Sequence, residues 1–380
     1  MQVRTIPRIF NNQIFLLVVL SLLAFGVFVF TRRMAVWEQN TEANIAAIWY
    51  ERGEQLIASG KVEQAIASFR RATANAHDNQ KYMLALANAL AAGNHDAEAQ
   101  QLLLQLRESD PENVEINIYL ARLAAAQGKV DEAIHYYQNA LYGQWKGDHA
   151  EERRLQLRTE LIGFLLQHQQ RELASSELLI LEARSPDDVA THMKLAQLFL
   201  GAGDPHRAFN DYAAAAKLDS HNVDALRGSG ETAFQLGDYA KAVDYLRSAL
   251  ELDPGSGETR QLLTLAELVV AEDPLVPHLS AQERQTRLLE GLRRASQRLE
   301  SCLAHTLDSK AIEQMQSLQT EALAMPSKLN PNRQPDFDTV RSGAGLIFRM
   351  EEAASAACGQ APPEDHALLL IGRAHKGMQP

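Results

Sequence analysis

Residue types that could do chemistry are present in this chain, but they are not gathered. Glu132 and His135 have the Glu-x-x-His spacing with which a helix offers two ligands to a di-iron centre, yet that centre needs a second such pair and two more inward carboxylates. The sequence has no second copy. The pair reads as solvated helix surface. Gly255-Ser256-Gly257 lacks the lysine of a phosphate-binding loop and reads as a turn followed by a helix cap. HExxH, GxSxG, GxxxxGK[ST] and the haem-attachment pattern CxxCH are absent. The histidines, among them His77, His95, His149, His168, His206 and His221, fall mostly in turns or at helix ends. Nucleophile, base and oxyanion donors cannot be named together, so the reading is a non-enzyme with no catalytic residue, cofactor or metal. The two cysteines, Cys302 and Cys358, are too few for a disulfide scaffold or a four-thiolate zinc site. They stand near the ends of two expected helices, which permits a disulfide or two separate buried thiols.

The elements that carry these residues begin with an apolar stretch. Ile14–Phe30 holds 17 residues without a charge, about 25 Å of helix at ~1.5 Å per residue. Arg32, Arg33 and Trp37 suit the interface beyond it. A transmembrane helix over about 14–31 is expected, within an amino-terminal segment 1–33. A cleaved signal, with Arg4 and Arg8 as its basic region, is the alternative. Two arginines flank each side. The short amino terminus and the large acidic remainder favour a cytoplasmic N-terminus and a periplasmic or other extracytoplasmic body. Net charge is 37 − 48 = −11, and beyond residue 33 it is 33 − 48 = −15. Such a body repels phosphate backbones, so nucleic acid is not expected as a partner.

After a juxtamembrane linker (34–45), one pattern recurs. Gly53, Ala65 and Phe69 are matched 34 residues on by Ala87, Ala99 and Leu103, and again by Ala121, Ala133 and Tyr137; Ala72 and Ala140 follow in the first and third units, and Pro111 closes the second. An insertion around Gly143–Ala150 interrupts the register. It resumes with Ile162, Ala174, Leu178 and Pro186, then Ala196, Ala208, Tyr212 and Ala215, then Gly230, Ala242, Leu246, Ala249 and Pro254. A small residue in one helix, and another 12 positions later in the next, lets two backbones approach while the larger residue four further on fills the gap. Gly-rich turns such as Ser59-Gly60-Lys61 and Gly237-Asp238-Tyr239 separate the helices.

This pattern over 46–256 resembles six units of the tetratricopeptide repeat family. The resemblance implies an all-α fold, an α-solenoid in which helical hairpins wind into a right-handed superhelix. It also implies a non-catalytic scaffold whose concave face, built from first helices, holds a protein or peptide. By position in the repeat that face includes Tyr50, Glu54, Lys81, Leu84, Asn88, Ile118, Arg122, Thr159, Met193, Gln197, Arg227 and Glu231. The carboxylate clamp of some family members uses paired Lys and Asn; Asn88 and Arg122 are suitably placed, but Leu84 and Ile118 stand where the lysine belongs. Residues 257–307 are expected to form an incomplete repeat (Glu258–Ala271) and a capping helix (Ser280–Thr306). Residues 308–380 are expected to form a helical tail: Ser309–Ala324, a Pro/Asn-rich loop over Met325–Asp338, then Asp338–Cys358 and Ala367–Ala374.

The function expected is a membrane-anchored adaptor for a protein or peptide in bacterial cell-envelope assembly or chaperoning, with no small-molecule substrate evident. An assembly factor presenting peptides in a cofactor pathway such as cytochrome maturation is one alternative. A tail that is itself a small ligand-binding or catalytic domain is another.

Overall fold

A computed structural model describes residues 8–328, 336–359 and 362–375, and every regular element among them is helical. Arg4 and residues 329–335 of the Pro/Asn-rich loop lie outside those residues. The chain divides into two compact units, Met1–Phe164 and Leu165–Pro380.

The first unit opens with α1 (Arg8–Ala58), which is followed by α2 (Val62–Asn75), α3 (Gln80–Ala92), α4 (Asp96–Ser109), α5 (Val114–Ala126), α6 (Val130–Tyr142) and most of α7 (Ala150–Gln167). Within α1, Leu16–Met34 is long and apolar enough to cross a membrane by length and composition. The stretch expected as a linker, 34–45, is helical throughout, so α1 passes from the apolar segment into the first repeat without a break. α1 pairs with α2, α3 with α4 and α5 with α6, and successive hairpins stack through α2 on α3 and α4 on α5.

The second unit contains α8 (Arg171–Arg184), α9 (Val189–Ala202), α10 (Pro205–Leu218), α11 (Val223–Gln235), α12 (Tyr239–Leu252) and α13 (Gly257–Glu272). Its tail comprises α14 (Ala281–Leu303), α15 (Ser309–Lys328), α16 (Phe337–Cys358) and α17 (Pro363–Ala374). α9 pairs with α10 and α11 with α12.

The small-residue pattern does what its spacing requires. Ala65, Ala87, Ala99, Ala121, Ala133, Ala174, Ala196, Ala208 and Ala242 are all 0% exposed, as is Ile162. A Cβ on Gly53 would meet the Phe69 ring at 2.5 Å, and one on Gly230 would meet Leu246 at 2.6 Å. Asparagine or aspartate caps open many of the first helices. Asn113 accepts from the Ile116 amide, Asp188 from Thr191 and Asn222 from Ala225.

The tail departs from expectation in one respect. α14 packs chiefly on α16, with α15 beside it, while α17 lies against α13. The partner of the incomplete repeat helix is therefore the last helix, about 100 residues away in sequence. Tyr239 at the start of α12 donates to the Leu370 carbonyl at 3.4 Å, and His375 contacts Asp273 at 2.8 Å. α14 reaches α13 through arginines: Arg287 donates to the carbonyls of Val270 and Asp273.

Candidate functional site

In the first unit the first-helix face starts with an aromatic group. Tyr50 of α1 stacks on Tyr82 of α3 at 4.9 Å between centroids and tilts against Phe69 at 5.8 Å. The Lys81 ammonium sits 4.5 Å from the Tyr50 ring centre, a cation–π distance. Burial, followed by the nearby Glu54 carboxylate, pushes the Tyr50 phenol up. Glu54 and Asn88 are exposed on this face. Leu84, expected to line it, is buried at 9% exposure. An aliphatic side chain there gains more from packing between neighbouring helices than from solvent.

Arg122 is not a free cation. Its Nε donates to Glu160 Oε1 at 2.8 Å and its Nη2 to Oε2 at 2.7 Å, while the Tyr137 hydroxyl donates to Oε1 at 2.8 Å. Burial pushes Glu160 up, but the hydrogen bonds from Arg122 and Tyr137 outweigh it and hold the carboxyl below its usual range. Arg122, with its charge answered by Glu160, is thus not poised to clamp a partner's carboxylate. Thr159 turns its hydroxyl back onto the Leu155 carbonyl at 2.9 Å.

Between α5 and α7 the face opens into a cleft of about 300 Å³, where Ile118 and Tyr119 of α5 face Gln156 and Leu157 of α7. The Arg122–Glu160 pair and Trp145 also line it. Trp145, from the insertion, is held by donation from its Nε1 to the Ala140 carbonyl at 2.9 Å. Arg153 binds the same loop by donating from Nη2 to the Lys146 carbonyl at 2.6 Å. Tyr119, Trp145, Arg153, Gln156 and Glu160 were not legible as site residues in sequence. Only the register jump at Gly143–Ala150 signalled that the face changes there.

In the second unit, Gln197 is exposed, whereas Met193 packs on the buried cluster of Ala215, Ala216, Ala225, Leu226 and Ala249. Arg227 pairs with Asp224 at 2.5 Å and lies 3.8 Å from Glu231. Burial raises the Glu231 carboxyl, against the lowering effect of Arg227. Beside Met193 is a node that sequence reasoning missed: His192 bridges two carboxylates, Nδ1 to Asp211 and Nε2 to Asp187, each at 2.8 Å.

In the tail, Arg294 pairs with Glu272 and Asp365, and Arg298 with Glu351. These charges face one another inside the packed helices, and two clefts on the tail are lined by other residues, among them Lys310 and Met315 in one and Arg341 and Ile371 in the other. Cys302 and Cys358 are joined as a disulfide, with Cα atoms 5.9 Å apart. Among the described residues no group of three or more His, Cys, Asp or Glu is placed to hold a metal ion.

A sequence profile of the tetratricopeptide repeat matches residues 50–103, 84–149 and 193–257. Residues 50–149 and 193–257 thus match the tetratricopeptide repeat, somewhat less than half of the chain. Arrays of this repeat are typically non-catalytic scaffolds for protein–protein interaction. Over 214 residues the chain is 26% identical to DnaJ homolog subfamily C member 3 of Gallus gallus, covering 53% of this chain and 42% of that protein. It therefore spans less than half the length of this curated relative. Among solved structures, the C-terminal part of a TPR repeat-containing protein from Cytophaga hutchinsonii aligns with 63% of this chain and 98% of its own, at 14% identity and a TM-score of 0.46. PilF of Pseudomonas aeruginosa aligns with 59% of this chain and 99% of its own, at 18% identity and a TM-score of 0.40. At these scores the likeness says nothing of function. The apolar amino-terminal helix and the disulfide together point to a secretory, extracytoplasmic setting for the tetratricopeptide body.

Proposed function

We propose that this chain is a single-pass, membrane-anchored scaffold whose first-helix face in the amino-terminal unit holds a segment of a protein partner, in assembly or chaperoning within a bacterial cell envelope. The observation that carries this reading is the cleft between α5 and α7, which continues the exposed face of Glu54 and Asn88 and offers apolar floor and polar rim together. The unbroken course of α1 supports an anchor over a cleaved leader. Signal cleavage needs extended, accessible backbone, and the residues between the apolar segment and the first repeat are helical. With the body outside the cytoplasm, the disulfide also has the oxidising surroundings in which it persists.

The test is site-specific photocrosslinking in native membranes. A photoreactive residue at Asn88, exposed on α3, is expected to capture a discrete protein partner. The control position is Gln101, exposed on the second helix α4. Capture at Gln101 with none at Asn88 would sink the reading.

A further inference from the structure

The α5–α7 cleft exists because the chain is longer there. α6 and α7 are joined by seven residues, 143–149, where the turns before α3 and α5 have four each, 76–79 and 110–113. The extra loop carries Trp145 between the two helices, and Trp145 divides the opening into two chambers that share Val114, Glu115 and Arg153 as walls. The inner chamber, about 300 Å³, has Ile118, Tyr119 and Leu157 as its apolar lining. Its far end is closed by Arg122 and Glu160, whose charges answer each other. At the Arg122–Glu160 end a charged guest would be desolvated without a free counter-charge, which favours a bulky apolar one there; the other charges of this lining, Glu115 and Arg153, lie on the walls shared with the second chamber.

The outer chamber, about 520 Å³, sets Asp110, Glu112 and Glu115 against Lys146 and Arg153. Arg153 is turned onto its own loop, bonded to the Lys146 carbonyl and 5.7 Å from the Trp145 ring centre. Carboxylates therefore exceed cations in this chamber, on a body that is itself acidic. Such a field attracts and orients a basic side chain.

We infer that this two-chambered cleft is where the bound segment is recognised, and that the segment is an extended peptide carrying a bulky apolar side chain next to a lysine or arginine. The apolar side chain fills the inner chamber, the basic one reaches Glu112 and Glu115 across Trp145, and the Gln156 amide, exposed on the rim, meets the peptide backbone. This rests on the scaffold reading and adds the chemistry of the partner.

The experiment uses the full chain in lipid nanodiscs and fluorescein-labelled nonapeptides with a Gly/Ser frame and a central Phe-Lys, Ser-Lys or Phe-Glu pair. Anisotropy is expected to show saturable binding of the Phe-Lys peptide and at least about tenfold weaker binding of the other two. Ile118→Ser is expected to remove the preference for Phe. The double variant Glu112→Gln, Glu115→Gln is expected to remove the preference for Lys, with circular dichroism unchanged in both. Equal binding of the three peptides, or no saturable binding at millimolar peptide, overturns the inference. So does undiminished capture at Asn88 in a variant carrying all three substitutions, which would leave the scaffold reading standing. Capture at Gln101 with none at Asn88 in the unaltered chain would instead remove the scaffold reading.

Discussion

His192 sits 19% exposed between Asp187 and Asp211, and Asp211 is only 5% exposed. Burial works against the imidazolium, but the hydrogen bonds to Asp211 and Asp187 outweigh it and raise its pKa above the ordinary 6.5. A raised histidine stabilises fully below its unfolded value and loses that contribution as pH rises through its folded value. The denaturant midpoint of the chain is therefore expected to fall as pH rises above about 6.5, and His192→Gln to flatten that slope. His192→Ala leaves Asp211 buried without its partner and is expected to cost about 3–5 kcal/mol. Glu351 acts in a different window. Burial, only partly offset by Arg298, raises its carboxyl from 4.5 to about 7. The folded state then holds a proton that the unfolded state has released, so stability falls as pH rises from 4.5 to about 7. Glu351→Gln should remove that slope, read as denaturant midpoints across the same range.

The hairpin turn is the element on which the repeat depends, and it needs one left-handed residue. Among the described residues the six hairpin turns place Gly60, Asn94, Gly128, Gln169, Gly203 and Gly237 there, with φ of 72°, 60°, 70°, 60°, 85° and 80°. The Gly-rich turns were visible in sequence because glycine reaches this conformation without strain. The turns at Asn94 and Gln169 were not, since no glycine marks the left-handed position there. Left-handed backbone costs a non-glycine residue about 1–2 kcal/mol, and glycine's larger unfolded-state entropy takes back part of any gain. Gln169→Gly is accordingly expected to stabilise by up to about 1 kcal/mol, measured by urea denaturation. Helix crossings in the tail follow the same logic of close approach. A Cβ on Gly343 would stand 2.8 Å from Leu288, and one on Gly291 would stand 2.9 Å from Ile347. At Gly372 of α17 it would collide with the Phe348 ring. Gly372→Ala should weaken α17 docking by about 1–3 kcal/mol, seen as faster amide exchange in α17 and at the end of α13 while α14 stays protected.

At the scale of the whole molecule, the disulfide closes a loop of 56 residues between α14 and α16. Its removal by Cys302→Ser with Cys358→Ser is expected to cost about 4 kcal/mol on the chain-entropy view, visible as a lower denaturant midpoint. The apolar span, the helical hairpins and their 34-residue register were all legible in the sequence. Each rests on short-range rules: a run of apolar residues, a small residue where backbones cross, a cap and a turn. The position of Arg122 on the first-helix face was legible for the same reason, but its neutralisation was not. Glu160 lies 38 residues away on another helix, and the irregular insertion between them breaks the periodicity that would have aligned the two. Leu84 and Met193 could be assigned to a face, yet their burial depends on neighbours from other helices. The docking of α17 on α13 was equally out of reach of pattern, because no local signal ties a helix to a surface made about 100 residues earlier. Periodicity along the chain thus decided which faces the helices have. Only packing between helices decided which residues on those faces remain free.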